Sequence, residues 1–95
     1  MALIEKALKI APEDPFIMDS MGWVLFRLGR LQEAENYLRR AYAIRPDVEI
    51  GVHLGEVLWV KGEKADAQKL WRDANQKDPK SDILKNTLTR LRAQL

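Results

Sequence analysis

Apolar residues recur along this chain at helical rather than alternating spacing. Met18, Met21, Leu25 and Leu28 fall at i, i+3, i+7 and i+10, one stripe of a 3.6-residue helix. Ala34, Leu38, Ala41 and Tyr42 make a second stripe. Gly29 stands between the two stripes, where a left-handed helix end is wanted, and Gly62 stands in the corresponding place further on. Pro12, Pro46 and Pro79 each close a helical stretch, and Asp14-Pro15 and Asp47 supply cap and first-turn chemistry for the next. Nothing alternates with a period of two over a useful length. The pattern predicts six helices, over about 2–10, 15–28, 31–44, 48–60, 64–77 and 81–94. Connections of about two to four residues make sequential helices antiparallel neighbours.

A period of 33 residues organises the pattern. Gly22 matches Gly55, Leu25 matches Leu58, Gly29 matches Gly62, Ala34 matches Ala67, Ala41 matches Ala74 and Pro46 matches Pro79. Leu38 answers Trp71 at the same offset. Pro12 precedes Pro46 by 34, which continues the period upstream with one extra residue. Gly22 and Gly55 suit a close approach of a neighbouring helix, and the alanines do the same on the second helix of each pair.

These residues resemble the tetratricopeptide repeat, a helix–turn–helix unit with a large apolar residue, Leu-Gly and Leu or Tyr in its first helix. Its second helix carries Ala, a large residue, Ala and a closing Pro. Here the first unit reads Met18, Met21-Gly22, Leu25, Ala34, Leu38, Ala41, Pro46, and the second Leu54-Gly55, Leu58, Ala67, Trp71, Ala74, Pro79. Gly51 departs from the pattern, standing where that family usually places a large residue. The resemblance implies an all-α fold of antiparallel helix–turn–helix repeats in a right-handed superhelix, with first helices lining the concave side. It divides the chain into 1–12, the second helix of a truncated upstream unit; two full units, 13–46 and 47–79; and a C-terminal capping helix, 80–95. All four pieces form one continuous repeat domain.

Composition narrows the chemistry. Lys plus Arg is 16 and Asp plus Glu is 14, a net charge of +2 that is too balanced for a nucleic-acid surface. The absence of cysteine excludes disulfides, thiolate metal sites and a cysteine nucleophile. Uninterrupted apolar runs, Trp23 to Phe26 among them, stop at four residues, so no segment is expected to insert into a membrane. His53 is the single histidine, and with Glu49 and Glu56 it makes the one conceivable ligand set; a polar position on a repeat helix explains it without a metal. Ser81 reads as an N-cap, and no Ser–His–acid spacing is present. The expectation is a non-catalytic chain with no cofactor and no metal.

Aromatic residues are in surplus. Repeat packing accounts for Trp71, Tyr42 and Tyr37, but not for Phe16, Trp23, Phe26 and Trp59. Trp23 and Phe26 turn away from the Met18–Met21–Leu25 stripe, beside Phe16, Asp19, Ser20 and Arg27. The equivalent face of the second unit offers Glu49, Val52, His53, Glu56 and Trp59, and the last helix adds Lys85. Two readings stand together: the aromatics pack within the superhelix, or they line a groove for an extended or helical segment of another protein. In the second reading Phe16, Asp19, Trp23, Phe26, Arg27, Glu49, His53, Glu56, Trp59 and Lys85 are the partner-binding residues. Asp19, Trp23, Val52, His53 and Glu56 do not match the Lys, Arg and Asn of a carboxylate clamp, so capture of a chaperone C-terminus is not expected.

The run 18–30, followed by 46–59, is similar to C-terminal repeats of large bacterial tetratricopeptide proteins, many of them outer-membrane lipoproteins that face the periplasm. That resemblance implies a piece of a larger scaffold or adaptor, periplasmic if it holds and otherwise cytoplasmic. The alternatives are a structural spacer and a module for weak self-association.

Overall fold

A computed structural model describes residues 14–93 of the chain. Five helices lie among them: α1 Pro15–Arg27, α2 Leu31–Ile44, α3 Val48–Lys61, α4 Lys64–Lys77 and α5 Asp82–Leu91. The fold is all-α, with α1 packed on α2 and α3 on α4 as antiparallel pairs. The helix expected over 2–10 lies outside the described residues. Two compact units divide the chain, Met1–Pro46 and Asp47–Leu95.

In the first unit, Asp14 starts α1. Its carboxylate accepts the Phe16 N–H at 2.9 Å and the Ile17 N–H at 3.3 Å, while Pro15 occupies the first turn, where no N–H partner is required. The end of α1 is a two-bond cap: the Arg30 N–H donates to the Leu25 carbonyl at 2.9 Å and the Gly29 N–H to the Phe26 carbonyl at 3.0 Å. That geometry requires a left-handed residue, and Gly29 has φ +82°. The buried stripe Met18, Met21 and Leu25 belongs to α1; Ala34, Leu38 and Ala41 are the buried apolar residues of α2. Gly22 sets the spacing of this pair. A Cβ there would lie 2.8 Å from Leu38 Cγ and 3.2 Å from the Ala34 carbonyl oxygen, so only glycine permits the approach.

The second unit repeats these devices. Asp47 caps α3 by accepting the Glu49 N–H at 3.0 Å. Gly62, at φ +93°, closes α3 with Glu63 N–H to the Leu58 carbonyl at 2.9 Å and Gly62 N–H to the Trp59 carbonyl at 3.0 Å. Each of these bonds lies 33 residues beyond its counterpart in the first unit. The residue facing the helix glycine is now Trp71, fully buried. A Cβ on Gly55 would fall 2.9 Å from two carbons of the indole ring, and the indole N–H reaches the Val52 carbonyl at 3.4 Å.

α5 rests on both α3 and α4. Ser81 caps it by accepting the Leu84 N–H at 3.3 Å. The helix was expected to run through 94 but stops at Leu91. Arg92 takes a left-handed conformation, φ 54°, and the Ala93 N–H folds back to the Leu88 carbonyl at 2.9 Å. Among the described residues no helix is long and apolar enough to cross a membrane.

Candidate functional site

Helical geometry sends some α1 side chains away from the α1–α2 seam, and the surplus aromatics are among them. Trp23 and Phe26, one turn apart, are each half-buried. Their rings stack with centroids 4.9 Å apart and planes 27° apart, a spacing at which aromatic pairs attract beyond the area they cover. Phe16 begins the same helix and is 45% exposed. The Arg45 guanidinium, from the residue after α2, lies 5.2 Å from its ring centroid. Antiparallel pairing is what brings the end of α2 beside the start of α1. Arg27 is exposed in the last turn of α1, whereas Asp19 is buried. Helix α1 thus presents a stacked aromatic pair, a cation-covered phenyl ring and the exposed Arg27.

The second unit places the equivalent positions differently. Trp59, which corresponds to Phe26 in the repeat, leans on Trp71 with centroids 5.4 Å apart and planes tilted by 39°. The Lys64 ammonium sits 4.8 Å over the Trp59 ring, an interaction of about 0.5–1 kcal/mol at a half-exposed site. Glu56, which corresponds to Trp23, is buried. Both its oxygens accept from Arg90 of α5, at 2.8 Å and 2.6 Å, in a two-pronged carboxylate–guanidinium pair. The hydrogen bond to Glu56 raises the Arg90 pKa further, against the opposing pull of partial burial. Glu49 is exposed in the first turn of α3, His53 is half-buried, and Lys85 is exposed on α5. Among the described residues, every buried side-chain nitrogen and oxygen has a hydrogen-bond partner.

Of the ten residues named from sequence, the structure brings Trp23 and Phe26 into contact in the first unit. In the second, Trp59 and Glu56 are engaged by Trp71, Lys64 and Arg90, none of which was among the ten. The Glu56–Arg90 pair spans 34 residues, one repeat plus one, and that spacing is the signal a sequence reading could have used.

Comparison with known proteins gives this arrangement relatives. A family model described as "Tetratricopeptide repeat" matches residues 15–48. A TPR repeat-containing protein of Pseudomonas aeruginosa is 56% identical over 54 residues, covering 57% of this chain and 9% of that protein. Protein arginine N-methyltransferase 9 of Homo sapiens is 44% identical over 43 residues, 45% of this chain and 5% of that protein, and its Mus musculus counterpart matches to the same degree. The chain therefore spans less than a tenth of the length of the curated relatives it matches.

Proposed function

We propose, from the premise that this chain is a tetratricopeptide repeat protein, that it is a non-catalytic module which binds an extended or helical segment of another protein. Repeats of this family generally serve protein–protein interaction. The observation that carries the reading here is the Trp23–Phe26 pair: two large rings, stacked and half-exposed, set off the buried stripe of their own helix. Rigid aromatic surface of this kind supplies contact area at small entropic cost and is enriched at the centres of protein interfaces. Arg27 and Phe16 stand on the same helix, and on α3 Glu49 and His53 offer polar contacts that would set register and selectivity. Glu56 contributes through its pairing with Arg90 rather than as an open contact, and Trp59 through the face that Trp71 and Lys64 leave open.

The match to 9% of the bacterial relative supports a place within a larger protein, and a scaffold or adaptor is the kind of larger protein proposed. The methyltransferase relatives share only the matched stretch, and their named activity forms no part of this proposal.

The test is capture of binding proteins by the intact chain and by Trp23→Ala/Phe26→Ala, with far-UV circular dichroism run on both. Loss of the captured proteins with helicity retained is the expected outcome. An unchanged captured set removes the basis of the proposal. Four large apolar side chains, Phe16, Leu28, Ile44 and Val60, are more than two-fifths exposed, which favours self-association as the second reading. Concentration-dependent sedimentation that Trp23→Ala/Phe26→Ala leaves untouched would decide for it.

A further inference from the structure

We propose that the surface of α3 and α4 beneath α5 is a helix seat keyed by one arginine. An amphipathic helix of another protein, carrying an arginine at the place of Arg90, takes that seat in exchange for α5. The idea extends the protein-binding reading to a second place on the chain and rests on it only for the kind of partner.

α5 itself shows what the seat accepts. Within the helix only Leu84 and Thr87 are buried, with Ile83, Leu88 and Leu91 half-buried. By contrast, α3 buries eight residues between Ile50 and Leu58. A ten-residue helix is shorter than the roughly 12–15 residues an isolated helix needs in water, so α5 is folded only while it is docked. Its hold is thus a few apolar contacts and one ion pair. That ion pair is asymmetric. The Glu56 side chain is 4% exposed, while that of Arg90 is 55% exposed. Arg90 reaches in from the solvent side and can be withdrawn without repacking the interior.

The carboxylate stays behind in the seat. A buried charge that loses its partner is strongly disfavoured, so whatever replaces α5 must bring a cation. Glu56 accepts with both oxygens, at 2.8 Å and 2.6 Å, from two nitrogens of a planar fork. A lysine ammonium cannot reproduce that fork. The occupant is therefore a helix with apolar residues at the Leu84, Leu88 and Leu91 places and an arginine at the Arg90 place.

A fluorescent peptide of residues 80–93 is the probe, titrated against the 95-residue chain and against its Arg90→Ala variant. We expect Arg90→Ala to bind this peptide at least tenfold tighter than the unmodified chain does. It should also bind it at least tenfold tighter than the same peptide with Arg90→Lys. Adding Glu56→Gln to the host abolishes that preference. If Arg90→Ala fails to fold by circular dichroism, the Arg90→Lys host takes its place with the same ranking expected. Adding Trp23→Ala/Phe26→Ala to the host leaves the ranking intact, which separates this seat from the aromatic face of the first unit. No binding, or equal binding of the arginine and lysine peptides, overturns the proposal.

Discussion

The two helical hairpins share a skeleton and differ in what they do with their aromatic residues. Both place a glycine in the first helix against a large side chain of the second: Gly22 against Leu38, Gly55 against Trp71. Both close the first helix with the same pair of hydrogen bonds onto a left-handed glycine. In the first unit, however, the seam is aliphatic and the rings of Trp23 and Phe26 stack outside it. In the second unit an indole fills the seam, Trp59 leans on it, and the place of Trp23 holds a buried carboxylate. The repeat fixes where a side chain points. Its identity decides what the position meets: a second ring at Trp23, a guanidinium at Glu56.

Substitutions at matched positions test that difference. The largest effect is expected for Trp71→Ala, which empties the second seam at a cost of about 3–5 kcal/mol; Leu38→Ala, its counterpart, removes a smaller side chain and should cost less, within about 2–5 kcal/mol. Urea unfolding of both variants measures this, and equal losses would break the contrast between seams. Gly55→Ala comes next. Its new methyl meets an indole pinned by the Val52 carbonyl, and overpacking of about 1–3 kcal/mol outweighs a gain of up to about 1 kcal/mol in helix propensity. Gly22→Ala also overpacks, against Leu38 Cγ at 2.8 Å and the Ala34 carbonyl oxygen at 3.2 Å, but its contacts are less close than those at Gly55 and it should lower the melting temperature less. Removing the caps is smaller again, about 1 kcal/mol for Asp14→Ala. Asp47→Ala, which removes the bond from the Glu49 N–H at the start of α3, should cost a similar amount. The smallest effect is a gain. Arg92→Gly relieves a left-handed backbone that glycine adopts freely and should stabilise α5 by about 0.5 kcal/mol. Amide hydrogen exchange at the end of α5 would register it.

The local devices were legible in the sequence because each depends on neighbours within a turn or two. Asp14, Asp47 and Ser81 are caps because their side chains reach N–H groups two or three residues on. Gly29 and Gly62 mark helix ends because only glycine takes that backbone without strain. Gly22 and Gly55 were legible through the period, which matches them to each other as places of close approach; the structure sets them against Leu38 and Trp71. What the pattern could not carry was the partner of a particular polar or aromatic group. Glu56 looks like any acidic residue on a helix until α5 folds over and Arg90 finds it 34 residues away. Phe16 and Arg45 meet only because the hairpin closes, and Trp59 gains Lys64 from across a turn. The early stop of α5 was hidden for a different reason. Arg92 gives no glycine signal, yet it adopts the left-handed turn.

The placement of the three tryptophans has an optical consequence. Trp23 belongs to the first unit; Trp59 and Trp71 belong to the second, where they touch. Trp71, wholly shielded and hydrogen-bonded to a backbone carbonyl, should emit at shorter wavelength than a half-exposed indole. A chain bearing Trp23→Phe would therefore glow from the second unit alone. Its difference from the unmodified spectrum is the signal of the first, so one intrinsic chromophore type can follow the melting of each hairpin separately.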